Sequence, residues 1–124
     1  MILLDSNVIV NSTKVEYDYL RQYLADQTYC ISVVSQIEVL GFHKLSAEDK
    51  HDFGELFSRT PILTISDEVV REAIRLRQLR KIGLGDAVIA ATAIVHKLEF
   101  VTFNTTKDFK CIDNLNLLNP AEVS

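Results

Sequence analysis

An α/β fold, a three-layer α/β/α sandwich on a largely parallel sheet of about four to five strands, is what this sequence predicts. Three observations carry the prediction. Short apolar runs alternate with stretches of helical periodicity along the whole chain, the pattern of crossovers between parallel strands. Several runs are apolar at consecutive positions, as strands covered by helices on both faces must be. The 124 residues, 48% of them hydrophobic, suffice to cover one sheet on both sides, so residues 1–124 read as a single domain.

The first run, Met1 to Leu4, meets Asp5 at its end. In open α/β sheets ligands bind beyond the carboxyl ends of the strands, so a carboxylate there faces a crevice. The competing reading makes Asp5 and Ser6 simple caps of the turn that follows. Asn11 to Lys14 read as a polar connection, and Val15, Tyr19, Leu20, Tyr23 and Leu24 recur at helical spacing. Thr28 to Val34, rich in β-branched and aromatic residues, reads as a second strand. Ser35-Gln36-Ile37-Glu38 fits a capping box that opens the next helix, with Glu38 returning to the Ser35 backbone. Glu38 could equally share the crevice with Asp5 if the two strands are parallel neighbours.

Ser46 caps a further helix whose first turn carries Glu48 and Asp49, with Phe53, Leu56 and Phe57 as its apolar stripe. Thr60-Pro61 breaks the pattern, Ile62 to Ile65 is a short third strand, and Ser66-Asp67-Glu68 starts another helix. Arg71, Arg75, Arg77, Arg80 and Lys81 oppose a single acid, Glu72, in that stretch. Such a run is ordinarily a solvated face, and here it also leads toward the next motif as a contact for phosphate. Gly83 and Gly85 interrupt the helix, and Asp86 begins one dominated by small residues that can approach a sheet closely. Asp86 is a candidate cap and a candidate third acid. Glu99 to Thr102 is the fourth strand, Phe103 to Phe109 a polar turn carrying Asn104 and Asp108, and Asn114 to Asn119 a last short strand before Pro120.

The bulk properties narrow the class of function. The apolar runs stop well short of the ~20 residues that a membrane span needs, and the chain begins in a strand-like run with no basic region or cleavage site. These features predict a cytoplasmic protein. Cys30 and Cys111 are far apart and imply neither a disulfide nor a zinc cluster. His43, His51 and His96 read as surface residues without a metal-pair spacing. A net charge of −4 argues against nucleic-acid binding driven mainly by counterion release, though not against a site neutralised by metal.

Parallel topology brings strand ends together, so Asp5, Glu38, Asp86 and either Asn104 or Asp108 can converge on one sheet edge. Clustered carboxylates raise one another's pKa unless a cation compensates them, and hard oxygen ligands favour Mg²⁺ or Mn²⁺. Such a site suits attack of water on a phosphodiester, with one ion or with two about 3.5–4 Å apart. A Gly-rich phosphate loop is missing from the sequence, as is a nucleophilic Cys or Ser paired with His, which disfavours nucleoside triphosphate hydrolysis and acyl transfer.

Leu3-Leu4-Asp5-Ser6-Asn7-Val8-Ile9, Ser35-Gln36-Ile37-Glu38, Gly85-Asp86-Ala87-Val88-Ile89-Ala90-Ala91-Thr92-Ala93 and Val101-Thr102-Phe103-Asn104-Thr105-Thr106-Lys107-Asp108-Phe109 occur in that order. In these segments the chain resembles the PIN-domain family, and within it the single-domain VapC-type ribonuclease toxins of VapBC toxin–antitoxin pairs. The resemblance implies a PIN-like sandwich and a metal-dependent endoribonuclease. Its catalytic and metal site would be formed by Asp5, Glu38 and Asp86, with a fourth position from Asn104 or Asp108. Ser6 and Thr102 would orient those carboxylates. Phe103 stands where a basic residue is frequent in the family, leaving Arg77, Arg80 and Lys81 to hold RNA.

The resemblance further implies a homodimer and a small antitoxin whose C-terminal segment covers the acidic crevice, where a basic side chain can satisfy the carboxylates. Phe42, Leu45, Phe53 and Phe57 are candidates for an apolar surface receiving it, with burial in the core as the other reading. Two other functions compete. Asp5-Ser6-Asn7-Val8-Ile9 resembles the opening motif of haloacid dehalogenase-type phosphatases, but Asn7 replaces the second Asp and no Gly-Asp-x-x-x-Asp follows Gly85-Asp86. A catalytically silent or receiver-like domain would use the same acids to bind one Mg²⁺ or to cap helices.

Overall fold

A computed structural model describes residues 1–105 and 107–122, and the side chains of Lys107 and Asp108 fall outside that description. Five parallel strands form one sheet in the order β3-β2-β1-β4-β5, with β1 Ile2–Leu4, β2 Tyr29–Ser32, β3 Ile62–Leu63, β4 Glu99–Val101 and β5 Leu117–Leu118. The predicted α/β/α sandwich is therefore the observed fold. The chain winds outward from β1 in one direction through β2 and β3 and in the other through β4 and β5. The reversal between β1 and β4 is where such sheets open a crevice.

Alternation along β1 assigns the two layers. Leu3 packs with Val69, Leu76, Ala90, Phe100 and Phe109 under the helices α5 Asp67–Leu79, α6 Leu84–His96 and the short α7 Lys107–Lys110. Ile2 and Leu4 face the opposite way and pack with Val8, Leu20, Val39, Phe53 and Phe57 from α1 Ser6–Asn11, α2 Asp18–Ala25, α3 Val33–Leu40 and α4 Ala47–Ser58. Leu3, Cys30, Ile31, Phe100 and Val101 are wholly buried, as strands covered on both faces require.

The capping reading of Asp5 holds, since its side chain accepts a hydrogen bond from the Ser6 N–H and caps α1. Other local expectations change. The second strand ends at Ser32, not Val34, since Leu4↔Ile31 is the last register pair with β1. The chain then turns into α3 with Ser32 as its cap, accepting from Val34 N–H at 3.1 Å. Ser35 lies buried inside α3, so the predicted capping box between Ser35 and Glu38 does not form. Asp86 is not a cap either, because α6 begins at Leu84 after Gly83 and Asp86 sits within its first turn. The polar turn after β4 contains α7, anchored by Phe109 edge-on to Phe100 at 5.3 Å between ring centroids.

Helix α6 approaches the sheet through Ala87, Ala90, Ala91 and Ala93, all buried, and Thr92 returns its hydroxyl to the Val88 carbonyl at 2.7 Å. Among the described residues no helix is long and apolar enough to cross a membrane. Enlarging a residue on the α6 contact face must push the helix off the sheet. Ala90→Leu is expected to destabilise the chain by about 1–3 kcal/mol, read as a lower urea midpoint with an unchanged slope.

Candidate active site

Asp5 sits between β1 and β4 at the reversal of strand order, and its backbone N–H donates to the Val101 carbonyl at 2.9 Å. The residue is buried, 7% exposed. One carboxylate oxygen accepts from the Ser6 N–H at 2.8 Å and the other from the Thr102 hydroxyl at 2.8 Å. Burial pushes the Asp5 pKa up, the hydrogen bonds from Thr102 and Ser6 pull against it, and the nearby charges of Asp86 and Glu38 raise it further. Three acids separated by tens of residues in sequence thus interact electrostatically around one edge of the sheet.

Glu38 projects from α3 and is exposed, with Oε1 accepting from the Ser6 hydroxyl at 2.7 Å. That bond is the role taken by the side chain expected in the capping box. Gly85 passes close to it: a Cβ there would stand 3.4 Å from Glu38 Oε2 and 3.7 Å from Val34 Cγ1. The glycine brings the first turn of α6, and with it the half-buried Asp86, alongside α3.

Beyond β4, Thr102 is fully buried and its hydroxyl is the centre of a small network. It accepts from the Asn104 N–H at 2.9 Å and from Asn7 Nδ2 at 3.3 Å while donating to Asp5. Asn7 also accepts from the Phe103 N–H at 3.3 Å, so one amide side chain holds the end of β4 against the start of α1. Sequence reasoning gave Asn7 no part in the site. The available signal was its place two residues after Asp5 on α1, which points it at the same strand end. Phe103 packs against Tyr17 at 5.5 Å between ring centroids. Asn104 is half-buried in this turn, and the side chain of Asp108 lies outside the described residues.

The residues of the basic run have different surroundings. Arg75 is taken up by Glu72, with Nε 2.6 Å from its carboxylate. Arg77 lines an apolar groove between α5 and α6 that also includes Leu84 and Gly85. Arg80 is half-buried with an unpartnered Nε, and Lys81 is exposed. Two other lysines missed by the sequence reasoning, Lys14 and Lys44, line a cleft that begins at Ser6 and Glu38. Of the apolar residues considered for a partner surface, Phe53 and Phe57 are core, while Phe42 is exposed.

The donor chemistry at this edge is all oxygen and all acidic. Among the described residues no three His, Cys, Asp or Glu side chains are placed so as to hold a metal ion, while the charges of Glu38 and Asp86 are close enough to raise Asp5. The electrostatic contact of the three acids is the observation compatible with a carboxylate site. Mg²⁺ is ordinarily held by one or two carboxylates and several waters, not by an all-protein cage.

The chain belongs to the PIN-domain family, whose "PIN domain" description matches residues 2–114. It is similar to Ribonuclease VapC10 of Mycobacterium tuberculosis, with 30% identity over 84% of this chain and 83% of that protein. Among solved structures, it resembles a chain of a toxin–antitoxin complex from Klebsiella pneumoniae at 30% identity, with a TM-score of 0.81 over 97% of this chain and 98% of that one. A chain of VapBC2 from Rickettsia felis, bound to a DNA fragment from its promoter, matches at 27% identity with a TM-score of 0.78, over 96% and 98% of the two chains. DNA-bound VapBC from Salmonella typhimurium shares the fold at a TM-score of 0.84 and 20% identity, over 97% of this chain and 99% of that one.

The raised pKa of Asp5 has a defined consequence for stability. The folded chain binds this proton more tightly than the unfolded chain, so the charged carboxylate weakens folding once the pH passes above the ordinary carboxylate value of 3.8. Asp5→Asn keeps an acceptor for Ser6 and removes the buried charge. Its thermal midpoint is expected to exceed the wild-type value near pH 7, with the difference shrinking toward zero as the pH falls below 3.8. An equal gain at pH 3 and pH 7 would show that the charge is not its source.

Proposed function

We propose that this chain is a metal-dependent endoribonuclease, the toxin of a type II toxin–antitoxin pair. The observation that carries the reading is the gathering of Glu38 and Asp86 around the buried Asp5 at the crevice of a PIN-domain sheet. The 30% identity to a protein named a ribonuclease supports it. Asp5, Glu38 and Asp86 would hold Mg²⁺ or Mn²⁺, with a fourth contribution from Asn104 or Asp108. When bound, a divalent cation supplies Lewis-acid activation of water and screens the phosphodiester charge.

The chain's own residues have separable tasks in this reading. Thr102 and the Ser6 N–H hold both oxygens of Asp5 in place, so that this carboxylate does not rotate away from the crevice. Asn7 keeps Thr102 and the turn after β4 in register with α1. The Ser6 hydroxyl holds Glu38 toward the same edge, and Gly85 lets Asp86 come alongside. Arg77, Arg80 and Lys81 are assigned to RNA phosphates as general electrostatic contacts. The amide of Asn7 is engaged with β4 and presents no acid, which weighs against a haloacid dehalogenase-type phosphatase.

An antitoxin segment covering the acids belongs to the same proposal, supported by the toxin–antitoxin complexes among the structural relatives. A guanidinium from such a segment satisfies clustered carboxylates with charge-assisted bonds. Action in the cytoplasm, where such an RNA target and antitoxin would meet the chain, is part of this reading. So is a homodimer through the patch of Ile65, Val70, Ile74 and Leu84, each an exposed apolar side chain around the α5–α6 groove. Light scattering should then give twice the chain mass, and Ile74→Glu should halve it; an unchanged mass would place the interface elsewhere.

The deciding experiment is cleavage of a panel of structured RNAs by purified chain freed of any small partner. Cuts should require Mg²⁺ or Mn²⁺ and vanish with chelator and with Asp86→Asn. Thr102→Val should lower the rate by roughly 10- to 100-fold, as loss of a residue supporting a metal ligand commonly does. No cleavage by a folded, metal-binding chain would favour a silent binding domain.

A further inference from the structure

The cleft running from Ser6 and Glu38 along α1, α3 and α4 has a volume of about 570 Å³, within the ~300–1,000 Å³ usual for small-molecule sites. Its apolar lining comes from Val10, Val39, Phe42, Leu45 and Phe53. On the ribonuclease reading above, we propose that it is a nucleobase subsite, taking an unpaired base of the RNA next to the phosphate held at the acids.

Continuity with the site is the first support. Ser6 and Glu38, joined by a 2.7 Å hydrogen bond, border both the acid cluster and this cleft, so a nucleotide adjoining a phosphate at the acids has this cleft beside it. The second is Phe42, which lines the wall and is 53% exposed despite its size, its ring tilted by 56° against that of His43 at 5.3 Å between centroids. Unpaired bases stack on such rings, and single-stranded RNA is commonly recognised in this way. The third is charge. Lys14 and Lys44 are exposed on the same lining, and neither has an ion-pair partner among the described residues. They suit the phosphates on either side of a seated base, while Thr13 and Asp49 offer polar groups to its edge. An apolar peptide would use the floor of the cleft but would leave both cations without a role.

The test is binding of short oligoribonucleotides, measured by fluorescence anisotropy with the full chain freed of any partner and carrying Asp86→Asn, so that cleavage by metal-activated water is lost during the measurement. Removing one stacked base typically costs enough to weaken binding about five- to 150-fold. Phe42→Ala is expected to weaken binding within that range, Phe42→Tyr to preserve it, and Phe42→Leu to fail to preserve it. An abasic nucleotide at one position should cost as much as Phe42→Ala, and the two losses should not add. Lys14→Ala and Lys44→Ala should each flatten the dependence of binding on salt by up to ~0.7 in the logarithmic slope.

Tight binding that is indifferent to Phe42→Ala, or fully preserved by Phe42→Leu, would overturn the subsite and give the cleft to an apolar protein segment. Failure of any oligonucleotide to bind would overturn it as well. Cleavage is read separately: if the Phe42 effects appear and no RNA is cut, the base subsite stands and the ribonuclease reading falls.

Discussion

A carboxylate buried where the strand order reverses is the constraint on which this structure turns. Taking Asp5 out of water is costly unless its oxygens are satisfied, and both are, by Thr102 and by the Ser6 N–H. The bonds do not fully compensate, since its pKa remains above the ordinary value. The fold tolerates that cost at one point, and that point is the crevice where a parallel sheet can admit a ligand. β1 ends at Leu4, and Asp5 keeps its N–H on the Val101 carbonyl of β4 while its side chain caps α1.

The site is assembled by contacts between elements more than by any one of them. Asn7 on α1 reaches the end of β4, Thr102 at that end reaches back to Asp5, and Ser6 on α1 reaches Glu38 on α3. Gly85 and the alanines of α6 determine how near that helix lies to α3 and the sheet. Packing and site geometry are therefore one problem here. A residue enlarged in α6 shifts Asp86, and a hydroxyl lost at position 102 loosens both Asp5 and the turn carrying Asn104.

Two apolar features with different surroundings flank this core. The cleft beside Ser6 and Glu38 carries lysines, whereas the α5–α6 groove is lined by aliphatic side chains with Arg77 as its cation. The first is the cleft we propose for a nucleobase, and the second the groove we propose for a partner copy.

The chain by itself determined the fold class, because runs apolar on both faces can only be central strands, and it identified Asp5, Glu38 and Asp86 as acids standing near strand or helix ends. Local periodicity carries that much. It placed a cap at Ser35 that does not form, since β-branched Val33 and Val34 read as strand whatever follows, and it left Asp86 open between cap and acid, since Gly83 gives no side-chain signal of a helix start. What only the tertiary structure decided is which groups meet. Asn7 and Thr102 are distant in sequence, so their hydrogen bond exists only after β1 and β4 have paired. The Lys14–Lys44 cleft likewise exists only because α1, α3 and α4 pack together, and spacing within one segment carries no record of contacts that long-range pairing creates.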